Sequence, residues 1–306
     1  MYDLIRYHLG WTDERGQPQE GPFTPFFAST LALVASEAIS GDFSLALPAA
    51  TAVELVYNFT LVHGEVQAGH IDAQDRPSIW WVWGPAQAIN AGDGLHALGR
   101  AAIMKLSQRG IPADRVLDAV AMLDRTCLTL CEGQYMDLSF QDQVVVTQQD
   151  YFTMIERKSG SLSGCAAALG ALAAGADDSV VDQFQQLGVR LGMAWQINQD
   201  IDDLWGGRGD GVTPSNLLNK KKSLPLIYAL EQASTADKRE LTTIYMKRVL
   251  ETEDAARIVA IVDSVAARQH AECQAAELVE QAFAELTCLG LSQEQQQGFR
   301  RMAARA

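Results

Sequence analysis

Trp195-Gln-Ile-Asn-Gln-Asp-Ile-Asp-Asp-Leu-Trp205 ends a stretch, running from about residue 179, in which apolar residues recur three and four positions apart. That spacing is one face of an α-helix. At 100° per residue Gln196, Asp200 and Asp203 share a second face, Gln199 lies beside it, and Asp202 points away. Carboxylates one turn apart repel each other, and acidic groups at a helix C-terminus also oppose the macrodipole. A divalent cation relieves both penalties. Mg²⁺ is the ion that binds through one or two carboxylates and completes its shell with water and phosphate oxygens. A solvated acidic helix end is the plainer reading, and the macrodipole argues against it.

The same periodicity extends outward over most of the chain. Helices are expected over roughly 28–38, 46–69, 84–108, 113–137, 148–157, 161–174, 179–204, 222–232, 235–250, 253–286 and 292–304, with almost no strand-like alternation. The fold class is therefore all-α. Residues 1–25 are polar and rich in Gly and Pro, which predicts a flexible N-terminal arm ahead of a helical domain over 26–306. Polar loops are expected at 69–79, 139–147 and 206–222. The third is long enough for a ligand loop and ends in Lys220, Lys221 and Lys222. Three lysines before a helix also read as a solvated charge run.

The 306 residues are 48% apolar and 20% charged, a composition that sustains a core without disulfide staples. With 24 Lys plus Arg against 38 Asp plus Glu, the net charge of −14 opposes nucleic acid and anionic membrane surfaces as partners. Any anionic ligand must be gripped locally. Cys127, Cys131, Cys165, Cys273 and Cys288 are odd in number and lack paired metal spacing, which suits the cytoplasm. The opening MYDLIRYHLGW lacks the pattern of a secretory signal, and no integral membrane segment is expected.

Several further motifs stand in a fixed order. EGQYMDL carries Gln134 and Asp137, ERKSGSL carries Lys158, AINAGDGL occupies 88–95, and KKKSLPLIYAL occupies 220–230. With WQINQDIDDLWG, these match the GQxxDL, KTGxL, GKxTLP and FQxxDDxxDxxG segments of the trans-isoprenyl diphosphate synthases. The chain resembles that polyprenyl synthetase family over nearly its whole length. The resemblance implies a single-domain isoprenoid synthase-type helical bundle with a deep central cavity, and a dimer interface on the helices around 84–137. It also implies the family's reaction, in which two aspartate-rich motifs hold three Mg²⁺, an allylic diphosphate loses pyrophosphate, and isopentenyl diphosphate attacks the carbocation.

The chain departs from the family pattern at specific positions. The first aspartate motif, after His63, falls on Gly64, Glu65 and Ala68, so only Glu65 is acidic. The second falls on Gln199, Asp200 and Asp203. The GKRxRP segment falls on Thr24, Pro25, Phe26, Phe27, Ala28 and Ser29, and the paired arginines fall on Ala73 and Gln74. Each charge-assisted phosphate contact is worth roughly 1.5–3 kcal/mol, so isopentenyl diphosphate loses its grip while the allylic half-site is retained.

The resemblance thus implies an enzyme acting on one prenyl diphosphate, terpene synthase-like or with a non-canonical prenyl acceptor. Asp200, Asp203, Lys158 and Gln196 are the expected catalytic residues, with Asp200, Asp203 and Glu65 holding Mg²⁺ at a reduced number of sites. Lys220, Lys221, Lys222, Gln134, Asp137, Phe26 and Trp195 are the expected substrate-binding residues. Trp80, Trp81, Trp83 and Trp195 could each face a carbocation or simply fill core volume. A homodimer is expected. The alternative is a non-catalytic subunit that forms a heteromer with an active synthase, with which the Cys127/Cys131 spacing is compatible. A metal site from His63, Glu65 and His70 is a third reading, opposed by Gly69, which should end the helix between them.

Overall fold

Apolar residues three and four apart form helices close to the expected bounds. The computed structural model describes residues 1–19, 27–69, 71–73, 76–143, 145–206, 217, 219–247 and 250–304. Within them Phe27–Ser40, Leu47–Ala68, Pro85–Ile103, Ala113–Gln141, Gln148–Ile155, Ser161–Ala173, Asp178–Trp205, Leu224–Gln232, Thr235–Met246 and Gln293–Ala303 are α-helical. Local chemistry sets the ends. Thr147 and Asp150 form a capping box, as do Ser292 and Gln295, and Ser234 caps Thr235–Met246. Gly69, at φ 67°, closes Leu47–Ala68 in the left-handed conformation that glycine adopts without strain. Among the described residues, strand structure is limited to the antiparallel pair Asp72–Ala73 and Arg76–Pro77 and an isolated bridge between Thr12 and Pro18.

Three features differ from the sequence reading. Where a flexible arm is expected, Tyr2–His8 is a helix with Leu4, Ile5 and Tyr7 buried. The seven-residue helix is too short to be stable alone, so tertiary burial sets its conformation. The helix expected over 253–286 is two helices, Thr252–Ser264 and Ala267–Cys288. They are joined through Ala266, which takes φ 55° without the Gly or Pro that would announce a break. Burial of Ile258, Ile261, Val262 and Ala267 in one apolar cluster offsets that backbone cost. Finally, Glu156–Gly160 is a π-helical turn between Gln148–Ile155 and Ser161–Ala173.

The chain forms two compact units. The first comprises Met1–Cys127 and Cys165–Gln185, and the second Leu128–Gly164 and Gln186–Ala306. In the first, Leu47–Ala68 packs along Pro85–Ile103. Gly99 lets the two approach, since a Cβ there would lie 3.2 Å from the Ala52 carbonyl oxygen. Leu4, Ile5 and Tyr7 join Val62, Ile79 and Leu95 in that unit's core. Phe43–Ala68 is long and apolar enough to cross a membrane, yet half of its most apolar window is buried inside the protein, as in a core helix. The second unit buries Tyr151, Ile155, Ile197, Ile201 and Ile227 in one cluster and Leu204, Leu226, Leu241 and Ile258 in another.

Candidate active site

In the second unit, Gly133 of EGQYMDL lies against the π-helical turn. A Cβ at Gly133 would lie 2.6 Å from the Lys158 backbone nitrogen and 2.9 Å from the Arg157 carbonyl carbon, so only glycine permits this approach. The contact brings Lys158 beside Asp137, one turn beyond Gly133. Lys158 Nζ donates to Asp137 Oδ2 at 2.5 Å, and Lys221 Nζ lies 3.6 Å from the same oxygen. Asp137 is 5% exposed. Burial alone would raise its pKa, but the Lys158 and Lys221 ammonium groups outweigh burial and hold the carboxyl down to about 2. For Lys158 burial prevails over the attraction of Asp137, and its pKa falls.

Asp200, 7% exposed, comes from the Asp178–Trp205 helix. The Tyr151 hydroxyl donates to its Oδ2 at 2.7 Å and Gln196 Nε2 donates to its Oδ1 at 3.1 Å. Gln196 is in turn oriented by Ser159, whose hydroxyl donates to Gln196 Oε1 at 2.6 Å. Burial pushes Asp200 up to about 6 despite these bonds and the charge of Lys221. Gly192 permits the underlying helix contact, since a Cβ there would lie 2.6 Å from the Ser159 carbonyl oxygen. Ser223 stands at the N-cap position of Leu224–Gln232 without a capping bond from its side chain, and Pro225 lies in the first turn, where its missing N–H removes no helical bond.

These groups line one pocket: Asp137, Tyr151, Lys158, Gln196, Asp200, Lys221, Lys222 and Ser223, with Met154 as an apolar wall. Three ammonium groups and a helix N-terminus face two carboxylates, one of them already paired. The arrangement favours an anion of more than one negative charge.

The remaining expected residues lie elsewhere. Lys220 donates to the Lys247 backbone carbonyl and is absent from the pocket lining, because its φ of 55° turns the chain at that point. On the Asp178–Trp205 helix Trp195, just before Gln196, and Asp203, just beyond Asp200, are half-buried, Gln134 is half-buried one turn before Asp137, and none of the three lines the pocket. Gln199 and Asp202 are exposed. Phe26 and His70 lie outside the described residues.

Glu65 belongs to the first unit. It is 9% exposed, its Oε2 has no hydrogen-bond partner, and burial pushes its pKa up to about 7 against the opposing charge of Arg76. In the same unit His63 occupies the space left by Gly92, a packing role. Trp83 meets Tyr7 edge-on with ring centres 4.9 Å apart, and Trp81 is exposed.

Among the described residues no group of three or more His, Cys, Asp or Glu side chains could hold a metal ion. The Asp200 carboxylate keeps lone pairs beyond the two donors it accepts, so the donor set fits an ion shared with phosphate oxygens rather than a cage made by protein alone. The sequence reading missed Tyr151, Ser159 and Ser223. Ser159 and Ser223 both lie inside motifs quoted above, ERKSGSL and KKKSLPLIYAL, at the threonine position of the matching pattern, whereas Tyr151 carries no local signal.

Comparison with known proteins places the chain in a family. The family model described as Polyprenyl synthetase matches residues 27–262. A geranylgeranyl diphosphate synthase of Mycobacterium tuberculosis is 35% identical over 286 residues, covering 92% of this chain and 80% of that protein. The crystal structure of a polyprenyl synthetase from Streptomyces coelicolor A3(2) superposes with a TM-score of 0.89 at 29% identity, covering 99% of this chain and 90% of that one. A geranylgeranyl pyrophosphate synthetase from the archaeon Geoglobus acetivorans gives a TM-score of 0.82 at 28% identity, with coverages of 99% and 90%. The order of motifs, the all-α fold and the lysine-and-aspartate pocket have a common explanation: this chain belongs to the polyprenyl synthetase family.

Proposed function

We propose that the chain is an enzyme that releases pyrophosphate from a single prenyl diphosphate, by terpene synthase-like chemistry or transfer to an acceptor other than isopentenyl diphosphate. One observation carries this reading: Lys158, Lys221 and Lys222 converge with Asp200 on one pocket, while the sequence positions that would hold isopentenyl diphosphate carry Pro25, Phe26, Ala73 and Gln74. Lys158 and Lys221 would bind the diphosphate and stabilise charge on its oxygens as the allylic C–O bond breaks. Gln196, fixed by Ser159 and Asp200, would orient a phosphate oxygen or a water. Mg²⁺ held by Asp200 and Asp203 together with substrate oxygens would supply Lewis-acid neutralisation of the leaving group, at fewer ions than the family's three.

A homodimer in the cytoplasm fits this reading. Leu117, Leu128 and Tyr135 are exposed on one face of Ala113–Gln141, at spacings of eleven and seven residues. The second reading, a non-catalytic partner of an active synthase, is favoured by Glu65. It is the one acidic residue left in the first motif, and burial leaves it only partly ionised at neutral pH, so that motif offers an ion less than one full negative charge.

The deciding experiment measures pyrophosphate release from C10, C15 and C20 allylic diphosphates with Mg²⁺, with and without isopentenyl diphosphate, followed by mass analysis of products. Release without isopentenyl diphosphate, lost in Asp200→Ala, supports the proposal. Release only with isopentenyl diphosphate would mean ordinary elongation. Silence in every case, with co-purification of an active synthase on co-expression, would establish the partner reading.

A further inference from the structure

Lys222 faces a second pocket as well as the first. The second is lined by Gln141, Gln143, Thr242 and Tyr245 together with Lys222, has Leu230 and Leu241 as its apolar part, and has Asp142 and Met246 at its exposed rim. All of these residues belong to the second unit.

Lys222 is 5% exposed, and among the described residues it has neither an ion-pair partner nor a hydrogen-bond acceptor. Its Nζ lies 4.1 Å from the centre of the Tyr245 ring. A ring face offsets only part of the cost of burying an ammonium group, and Lys220 nearby adds a like charge. The Tyr245 hydroxyl is also buried without a hydrogen-bond partner. Two adjoining donors, one of them cationic, thus line a single pocket and lack an acceptor. The usual fate of buried polar groups is pairing, so the lining points to a ligand. Gln141 and Gln143 add neutral amide donors, the Thr242 hydroxyl is already given to the Lys238 carbonyl at 2.8 Å, and the single opposing charge, Asp142, is exposed at the rim.

We propose that this pocket is a second anion site, binding a small oxyanion, a carboxylate or a phosphate, across the Lys222 ammonium and the Tyr245 hydroxyl, with any short apolar portion against Leu230 and Leu241. Lys222 also lines the diphosphate pocket, so occupancy of the second site draws its ammonium away from the first. A bound oxyanion therefore weakens diphosphate binding, a consequence that rests on the function proposed above. The second site itself does not.

The test is calorimetric titration of the full-length protein with inorganic phosphate, hexanoate and pyrophosphate, without turnover. Phosphate or hexanoate binding should weaken about tenfold in Tyr245→Phe, which removes one hydrogen bond to an anion. It should stay within about twofold in Lys221→Met, which acts on the first pocket. Tighter phosphate identifies a phosphate-bearing ligand, and tighter hexanoate a carboxylate with an apolar tail. Thr242→Trp, a change at an exposed helix position, should block the pocket and separate lost binding from lost folding. Binding that survives both Tyr245→Phe and Thr242→Trp but disappears in Lys221→Met would place the anion in the diphosphate pocket and overturn the proposal. So would the absence of binding by either probe at millimolar concentration. A protein inactive on every prenyl diphosphate that still shows Tyr245-dependent binding would sink the catalytic reading alone.

Discussion

The Tyr151 hydroxyl donates to Asp200 Oδ2 at 2.7 Å although the two residues are 49 positions apart in sequence. The bond holds a buried carboxylate in one rotamer and leaves its other oxygen to Gln196. Removing the hydroxyl in Tyr151→Phe keeps the ring's apolar contacts and withdraws one donor from a charged acceptor. Unfolding in urea at neutral pH should therefore show a loss of about 1.5–3 kcal/mol. The loss should be smaller in the background of Asp200→Asn, because the partner is then neutral. Equal losses in both backgrounds would mean that the hydroxyl acts through something other than Asp200.

Asp137 gives a prediction in acid. Its carboxyl is depressed from 3.8 to about 2, chiefly because Lys158 and Lys221 overcome the effect of burial. An acid whose folded-state pKa is depressed stabilises the fold above its unfolded pKa and loses that contribution as pH falls through the folded value. The window is therefore between pH about 4 and about 2, and the contribution at neutral pH is on the order of 2 kcal/mol. Lys158→Met should move the acid unfolding midpoint to higher pH, with little further effect from a second change, Asp137→Asn. The midpoint is read from far-ultraviolet circular dichroism against pH. An unchanged midpoint in Lys158→Met would rule out this pair as an acid-stability element.

Gly133→Ala should be destabilising, although Gly→Ala inside an exposed helix normally stabilises by about 1 kcal/mol. The reversal follows from the added Cβ meeting backbone, the Lys158 nitrogen at 2.6 Å and the Arg157 carbonyl carbon at 2.9 Å. Neither atom can move aside as a flexible side chain would, so overpacking of about 1–3 kcal/mol is expected. Pyrophosphate affinity should fall in parallel, because the same shift displaces Lys158. A stabilised Gly133→Ala protein would show that the π-helical turn yields at no cost.

Much of this fold is legible from period alone. The Asp178–Trp205 helix is continuous and apolar on one face, and Asp150 three residues after Thr147 announces a helix start. Motif chemistry also locates Lys158, Asp137, Gln196 and Asp200 before any coordinates are known, and the four line one pocket. What sequence conceals is set by tertiary contact. The π-helical turn that aims Lys158 depends on a neighbouring glycine, Tyr151 finds Asp200 across 49 residues, and Ala266 takes a left-handed conformation that its own side chain disfavours. Lys220, Lys221 and Lys222 look equivalent in a row. Backbone direction separates them into a carbonyl donor, a pocket cation and a buried cation over Tyr245.

Glu65 supplies the test of how far the first aspartate motif has been converted from a metal site into an interior position. Burial raises its pKa from 4.5 to about 7, against the attraction of Arg76, so the folded protein retains a proton that the unfolded chain gives up. Stability from this group is complete below pH about 4.5 and falls as pH rises through about 7, by about 3 kcal/mol in total. Glu65→Gln removes the ionisation and keeps the shape. In buffer containing a chelator, the variant should therefore be the more stable protein at pH 8, with the difference shrinking towards zero near pH 4, as read by thermal melting. The gain at pH 8 should disappear on adding millimolar Mg²⁺ if the carboxylate still binds the ion, since binding to the folded state stabilises only the wild type. A gain that persists in Mg²⁺ would mark Glu65 as a core acid and locate the remaining metal chemistry at Asp200. A wild-type protein more stable than Glu65→Gln at pH 8 without Mg²⁺ would contradict the raised pKa itself, and with it the claim that this motif has lost its anionic character.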